Sequence, residues 1–260
     1  MQKNLAVTVV GDFKFLLKYF NKFYKNLISE GSYKGDIVVL THYLVPTFLI
    51  SNILKNKNVY VMRFKKVRFS RLTNNKLKNL NTKGKPNRHL TKNFQWHKLH
   101  VFNKKLKKWK YIFYIDLNMH IHHDINPILE NTPNGKIYAR SDGYPEFKKS
   151  LKTQFDETKG EFLKLKEIFD IEKKDYMQTG ILFFDTNLID ESLFKDCIKL
   201  VDEFPISLTN EQGILNLYFM NKNIVVEELP LMYGDYLSYY YWKKRDQKII
   251  ITKQNLEKYK

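Results

Sequence analysis

The sequence predicts an α/β chain with a mixed, mostly parallel central sheet and helices on both faces. Short β-branched or apolar runs alternate with segments of helical spacing along the chain. Polar residues collect where the runs end, at Gly11-Asp12, Asp116-Leu117-Asn118 and Ser141-Asp142-Gly143. In open sheets of this kind the carboxyl ends of the strands form the ligand crevice, so these ends are the first places to seek chemistry.

Residues 5–10 read as a strand, and residues 15–28 carry apolar side chains at helical spacing. A second strand over 36–41 leads to an apolar stretch over 47–54 and a third strand over 58–64. Residues 71–88 are rich in Lys and Asn, contain Gly84 and Pro86, and predict a basic loop. A helix is expected over 90–106, followed by a strongly apolar strand over 111–115 and a short one over 136–139. Residues 148–174 are charged and helical or irregular; 180–184 is a buried strand, 192–203 and 211–220 are helices, and 224–228 is a strand. The chain shows no internal repeat.

Composition bounds the class. With 260 residues, 43% hydrophobic and 15% aromatic, the chain can build a sizeable core without metal or disulfide staples. Cys197 is the lone cysteine, which excludes an intramolecular disulfide framework and suits a reducing compartment. The first apolar run is too short for a signal peptide, and the stretch over 43–54 is interrupted by Pro46 and Asn52 and cannot span a bilayer. A cytoplasmic location without a membrane span is therefore expected.

The net charge is +18, from 45 Lys and Arg against 27 Asp and Glu. Only six of the basic residues are Arg, and the abundance of Lys, Asn, Ile, Phe and Tyr matches the coding bias of an AT-rich genome. Placement is more informative than amount: residues 37–115 hold 19 Lys and Arg and no acidic residue, while the rest of the chain is nearly balanced. That predicts a positive face that attracts anions. Its lysines over 104–110 also read as a solvated helix end. Phe64, Phe69, Phe94, Trp96, Phe102 and Trp109 are interleaved with it, a combination that suits single-stranded nucleic acid as well as a folded core. A second aromatic cluster, Tyr233, Tyr236, Tyr239, Tyr240, Tyr241 and Trp242, suits stacking on a sugar or sealing the domain.

An apolar strand that delivers Asp116 and, two residues later, Asn118 offers hard oxygen ligands to Mg2+ or Mn2+. If the chain stays extended beyond Asn118, then His120 and His122 share the face of Asp116 and Asn118, and one imidazole, with His120 the nearer, is a candidate further ligand. Successive same-face positions lie roughly 6–7 Å apart, so a compact site spanning all of them needs a bend. His97 and His100 flank Lys98 on the expected helix, one packed and the other exposed.

The stretch from Lys98 through Tyr-Ile-Phe-Tyr-Ile-Asp116-Leu-Asn118-Met resembles the segment of glycosyltransferase family 8, glycogenin among them, that leads into an Asp-x-Asp motif. Met177-Gln178-Thr179-Gly180-Ile-Leu-Phe-Phe resembles that family's Asn-Ser-Gly strand, and Glu211-Gln212-Gly213-Ile214-Leu215-Asn216 resembles its Asp-Gln-Gly-Ile-Leu-Asn helix start. The resemblance runs from the first strand to about Pro230. It implies a GT-A fold in one domain over 1–260, with a Rossmann-like nucleotide-sugar half over about 1–124 and an acceptor half over about 125–260. It further implies metal-dependent transfer of a sugar from a nucleotide-diphosphate donor, a UDP-sugar, to a glycan or protein hydroxyl, with retention of configuration.

By that resemblance Asp116 and Asn118 hold Mn2+ or Mg2+, His120 being added from the strand alternation above, and Asp12, Lys98, Gln178, Gly180 and Lys258 contact the donor. Asp142, Glu211 and Gln212 face the transferred sugar. The chain departs from the family in having the neutral Asn118 and in lacking the late His-x-x-Gly-x-x-Lys-Pro-Trp motif, with Thr252 at the place of its His and Lys258 at that of its Lys. Two rival readings follow: a catalytically weakened relative that binds a nucleotide sugar or glycan, and a nucleic-acid-binding protein that uses residues 37–115. The ordered motifs favour sugar transfer over a nucleic-acid partner, because they account for the carboxylates as well as the charge.

Overall fold

The computed structural model describes residues 4–80, 89, 92–141, 148–240 and 248–253. Strand β1 (Leu5–Val10) is buried along its whole length, which explains a run that is apolar on both faces instead of alternating. Helix α1 (Phe13–Ser29) opens on Asp12, whose carboxylate accepts the Phe15 N–H at 2.9 Å, and it buries Leu16, Phe20, Phe23 and Leu27 along one stripe. Strand β2 (Asp36–His42), helix α2 (Thr47–Leu54) and strand β3 (Val59–Phe64) complete the first parallel edge.

Two local expectations are corrected. Helix α3 (Arg71–Lys78) replaces the first part of the expected basic loop: Ser70 caps it by accepting the Thr73 N–H, and Thr73 and Leu77 are buried. Residues 81–88 of that expected loop lie outside the described residues. Over Asn93–Phe102 the chain winds as a 3-10 helix, not an α-helix, and a second 3-10 helix covers Lys104–Lys108. Side chains three residues apart eclipse in a 3-10 helix. Every residue from Trp96 to Phe102 is buried, His97 and His100 included, with their ring centroids 5.3 Å apart, where the sequence leads one to expect one of them exposed.

The chain continues through β4 (Tyr111–Ile115), β5 (His120–Ile121), α4 (Asn126–Glu130), β6 (Ile137–Arg140), α5 (Glu161–Ile168), β7 (Gln178–Asp185), α6 (Leu193–Glu203), α7 (Glu211–Asn221) and β8 (Val226–Glu228). Strands β9 (Met232–Tyr233), β10 (Tyr236–Tyr240) and β11 (Ile249–Thr252) follow. The central sheet has seven strands in the order β3-β2-β1-β4-β7-β6-β8. Only β7 runs against both of its neighbours. Alternate residues feed two apolar layers, with Ile112, Tyr114, Leu182 and Phe184 on one side and Phe113, Ile115, Ile181 and Phe183 on the other.

A smaller sheet of order β5-β11-β10-β9 stands beside the first. Two consequences position the site. The reversal of β7 lays its first residues against the end of β4, with Ile115 opposite Ile181. The pairing of β11 with β5 brings the chain just after Thr252 back to the segment that follows β4.

Candidate functional site

Asp116 leaves the end of β4, and its N–H donates to the Gly180 carbonyl at 2.8 Å. The chain then turns, with the Met119 N–H donating to the Asp116 carbonyl at 2.9 Å, so it does not stay extended beyond Asn118. This turn separates the histidines from the carboxylate. His120 pairs with Thr252 across β5 and β11 and is not among the residues lining the cleft described below, and His122 shares a 2.9 Å hydrogen bond with the Thr252 hydroxyl. Gly180 lies where a side chain would collide: an added Cβ would sit 2.7 Å from Met119 Cε and 3.6 Å from Asp116 Oδ2.

Asp116 accepts from three side-chain donors. Its Oδ1 accepts the Tyr114 hydroxyl at 2.7 Å and pairs with Lys98 at 2.9 Å, and its Oδ2 pairs with Lys253 at 2.7 Å. Burial alone would raise the Asp116 pKa, but the ammonium groups of Lys253 and Lys98 and the Tyr114 hydroxyl hold it well below the usual carboxylate range. Burial raises the Tyr114 hydroxyl well above its ordinary value, helped by the adjacent carboxylate.

Lys98 spends all three of its donors inside the protein, on Asp116 Oδ1, on Glu211 Oε1 at 3.0 Å and on the Thr179 carbonyl at 3.3 Å. It is buried, yet the two carboxylates outweigh that burial and raise its pKa. Its position makes it the brace between Asp116 and Glu211.

Glu211 and Gln212 open α7, a helix buried almost all round. Glu211 Oε1 also accepts the Thr179 hydroxyl at 3.0 Å, while Oε2 is buried and has no hydrogen-bond partner among the described residues. Gln212 is held at both ends of its amide: Oε1 accepts the Thr179 N–H at 3.2 Å, and Nε2 donates to Gln154 Oε1 at 2.7 Å.

These groups line one cleft of about 520 Å³. Of the residues expected from the sequence, the fold brings together Asp12, Lys98, Asp116, Asn118, Gln178, Gly180, Glu211 and Gln212. Asp142 and Lys258 lie outside the described residues. Phe15 and Phe94 stand in the same cleft with ring centroids 4.7 Å apart, as does Tyr239, whose hydroxyl donates to Gln178 Oε1 at 3.5 Å.

Lys253 is the main residue that the sequence reading misses. A signal was present, since it is the polar residue that directly follows the apolar strand Ile249–Thr252. Gln154, by contrast, had no local signature.

The donor set does not fit a divalent cation. Asn118 Oδ1 accepts from Lys253 Nζ at 2.9 Å, so one ammonium occupies the space between the only carboxylate and the only amide of the turn. Among the described residues no three His, Cys, Asp or Glu side chains gather as a ligand set.

The chain matches no protein-family model, and no curated protein matches it by sequence. Its structure is similar to that of an active-site mutant of LgtC, with a TM-score of 0.59 and 11% identity over 95% of this chain and 86% of that one. It is also similar to the galactosyltransferase LgtC in complex with donor and acceptor sugar analogs, with a TM-score of 0.53 and 12% identity over 85% of this chain and 72% of that one. Mouse xyloside xylosyltransferase 1 aligns at a TM-score of 0.51 and 10% identity over 98% of both chains. The mixed, mostly parallel sheet flanked by helices is the fold of the GT-A glycosyltransferases. Among the described residues no helix is long and apolar enough to cross a membrane.

Proposed function

We propose that this chain is a glycosyltransferase of the family 8 type, which moves a sugar from a nucleotide-diphosphate donor, a UDP-sugar, to an acceptor hydroxyl with retention of configuration. The reading rests above all on convergence: Asp116, Gly180 and Glu211-Gln212, from three segments far apart in the chain, meet in one cleft at the ends of the central strands. In the reaction the bond from the anomeric carbon to the diphosphate oxygen breaks, and its electron pair stays with the diphosphate. The acceptor oxygen bonds to the same carbon, and its proton passes to the departing diphosphate or to solvent.

The cleft supplies what such a step needs: apolar rings beside charged and amide groups on a rigid frame. Phe15 and Phe94 form a wall suited to a nucleobase, and Asp12 stands beside them at the start of α1. Gly180 lets Met119 Cε pack against the backbone beside Asp116, at the floor of the cleft. Glu211, held by Lys98 and Thr179, lines the cleft from the first turn of α7, and the more exposed Gln212 stands next to it for a sugar hydroxyl. The acceptor is a glycan or protein hydroxyl. The metal expected from the sequence has no part in this proposal, because Lys253 holds its place.

Incubation of the full chain with a panel of nucleotide sugars, followed by chromatography of released sugar, tests the reading without knowledge of the acceptor. Release from one UDP-sugar in preference to the rest is the expected result. UDP binding with no release from any donor would assign the chain a binding role, and the absence of both would remove the proposal.

A further inference from the structure

We propose that the Lys253 ammonium does the work of a divalent cation in this cleft, so that the chain binds and discharges its nucleotide diphosphate without metal. The inference rests on the glycosyltransferase reading above and goes further in assigning how diphosphate charge is met.

Lys253 Nζ bridges Asp116 Oδ2 at 2.7 Å and Asn118 Oδ1 at 2.9 Å, the pair of oxygens that the turn after β4 presents to the cleft. A hard divalent ion would seek the same oxygens at about 2.0–2.6 Å. It would need more negative charge than this turn contains. Asp116 contributes one carboxylate and Asn118 none; of the other two carboxylates lining the cleft, Glu211 is already paired with Lys98 and Asp12 accepts the Phe15 N–H at the start of α1. One ammonium balances one carboxylate, whereas a dication placed there would face two ammonium groups within reach of the same aspartate.

Donor counting separates the two lysines. All three Lys98 donors are consumed by Asp116, Glu211 and the Thr179 carbonyl. Lys253 uses two of its three on Asp116 and Asn118 and has no other partner among the described residues, which leaves one N–H for a phosphate oxygen. Its side chain is 22% exposed and lines the cleft, while that of Lys98 is 6% exposed. Its backbone is positioned from behind, because the neighbouring Thr252 pairs with His120 and bonds His122. As the diphosphate departs, its growing charge is met by this fixed ammonium without any proton transfer from the lysine.

Calorimetric titration of the full chain with UDP, in EDTA and then in Mn2+, tests the inference. UDP should bind in EDTA with an affinity that Mn2+ changes by less than about threefold, a difference within 1 kcal/mol. Lys253→Met should weaken binding in EDTA by about 10- to 100-fold, the loss of one charge-assisted hydrogen bond. Lys253→Arg should retain most of the affinity, and thermal unfolding of each variant shows that it is folded. The double variant Lys253→Met, Asn118→Asp should bind Mn2+ directly, seen as loss of the free Mn2+ resonance signal, where the native chain does not. UDP binding by the native chain only when Mn2+ is present would overturn the inference and leave the glycosyltransferase reading standing. No UDP binding in either condition would overturn both.

Discussion

Gln212 Nε2 donates a 2.7 Å hydrogen bond to Gln154 Oε1, joining the first turn of α7 to a residue 58 positions earlier. Gln154 is buried, and the same oxygen accepts the Thr209 hydroxyl at 2.9 Å. With its own Oε1 held by the Thr179 N–H, the Gln212 amide has one orientation and presents it to the cleft.

Gln212→Ala should therefore lower turnover by at least about tenfold, the scale expected when a positioned polar group near the reacting carbon is lost. UDP affinity should stay near the native value. Gln154→Ala should cause a smaller loss in kcat of the same kind, because it frees the amide without removing it. Steady-state kinetics set beside UDP titrations check both; a large drop in UDP affinity with kcat retained would place Gln212 at the nucleotide instead.

Lys98 braces two carboxylates that would otherwise be buried together. Lys98→Met should cost about 3–5 kcal/mol, because it strands Asp116 and Glu211 without their shared counter-charge. Chemical denaturation reads this directly. The paired change Lys98→Met, Glu211→Gln should recover part of the loss, and no recovery would show that Glu211 is not the main burden.

Gly180 gives the Met119 side chain its space beside Asp116. Gly180→Ala places its Cβ against the end of the flexible Met119 side chain, so the fold should lose no more than about 1–2 kcal/mol. Gly180→Leu should abolish sugar release while the chain remains folded. Thermal unfolding of Gly180→Ala checks this, and a loss well above that range would show that the Met119 side chain cannot move aside.

Acid should destabilise the protein through its buried imidazoles. Burial pushes His89 and His100 down to about 4 and His97 down to about 3, from an ordinary value of 6.5. Neither ring nitrogen of His97 has a hydrogen-bond partner among the described residues. Below pH 6.5 the unfolded chain takes up protons that the folded chain refuses, so this contribution is full above that pH and falls as the pH drops toward 4. The loss should reach about 1–3 kcal/mol per imidazole by pH 4. Urea midpoints measured from pH 7 to pH 4 check the slope, and His97→Phe should flatten it.

Much of the fold was legible because its signals are local. The apolar runs of β1, β4 and β7 and the stripe of Leu16, Phe20, Phe23 and Leu27 on α1 follow from spacing alone. The 3-10 winding over Asn93–Phe102 was not legible, because all residues from Trp96 to Phe102 are buried, polar ones included, and no periodicity marks the winding. Helix α3 was hidden by its composition: only Thr73 and Leu77 are buried in a segment otherwise rich in Lys and Asn.

By itself the sequence named Asp116 and Asn118 at the end of an apolar strand, and its resemblance to glycosyltransferase family 8 pointed to Gly180, Glu211 and Gln212. The first pair follows from an apolar run and the polar residues that stop it, and the other three from short motifs, all of which the chain carries locally. Tertiary structure alone decided who neutralises them. The Lys253 ammonium meets Asp116 across 137 residues through the pairing of β5 and β11, strands of two and four residues with little periodicity to read. The turn after Asp116 likewise removes His120 from the cleft, because a single hydrogen bond from the Met119 N–H to the Asp116 carbonyl ends the alternation that would have kept it there. The charge state of the site is thus a product of long-range strand pairing, while the site's carboxylates are written in short stretches of chain.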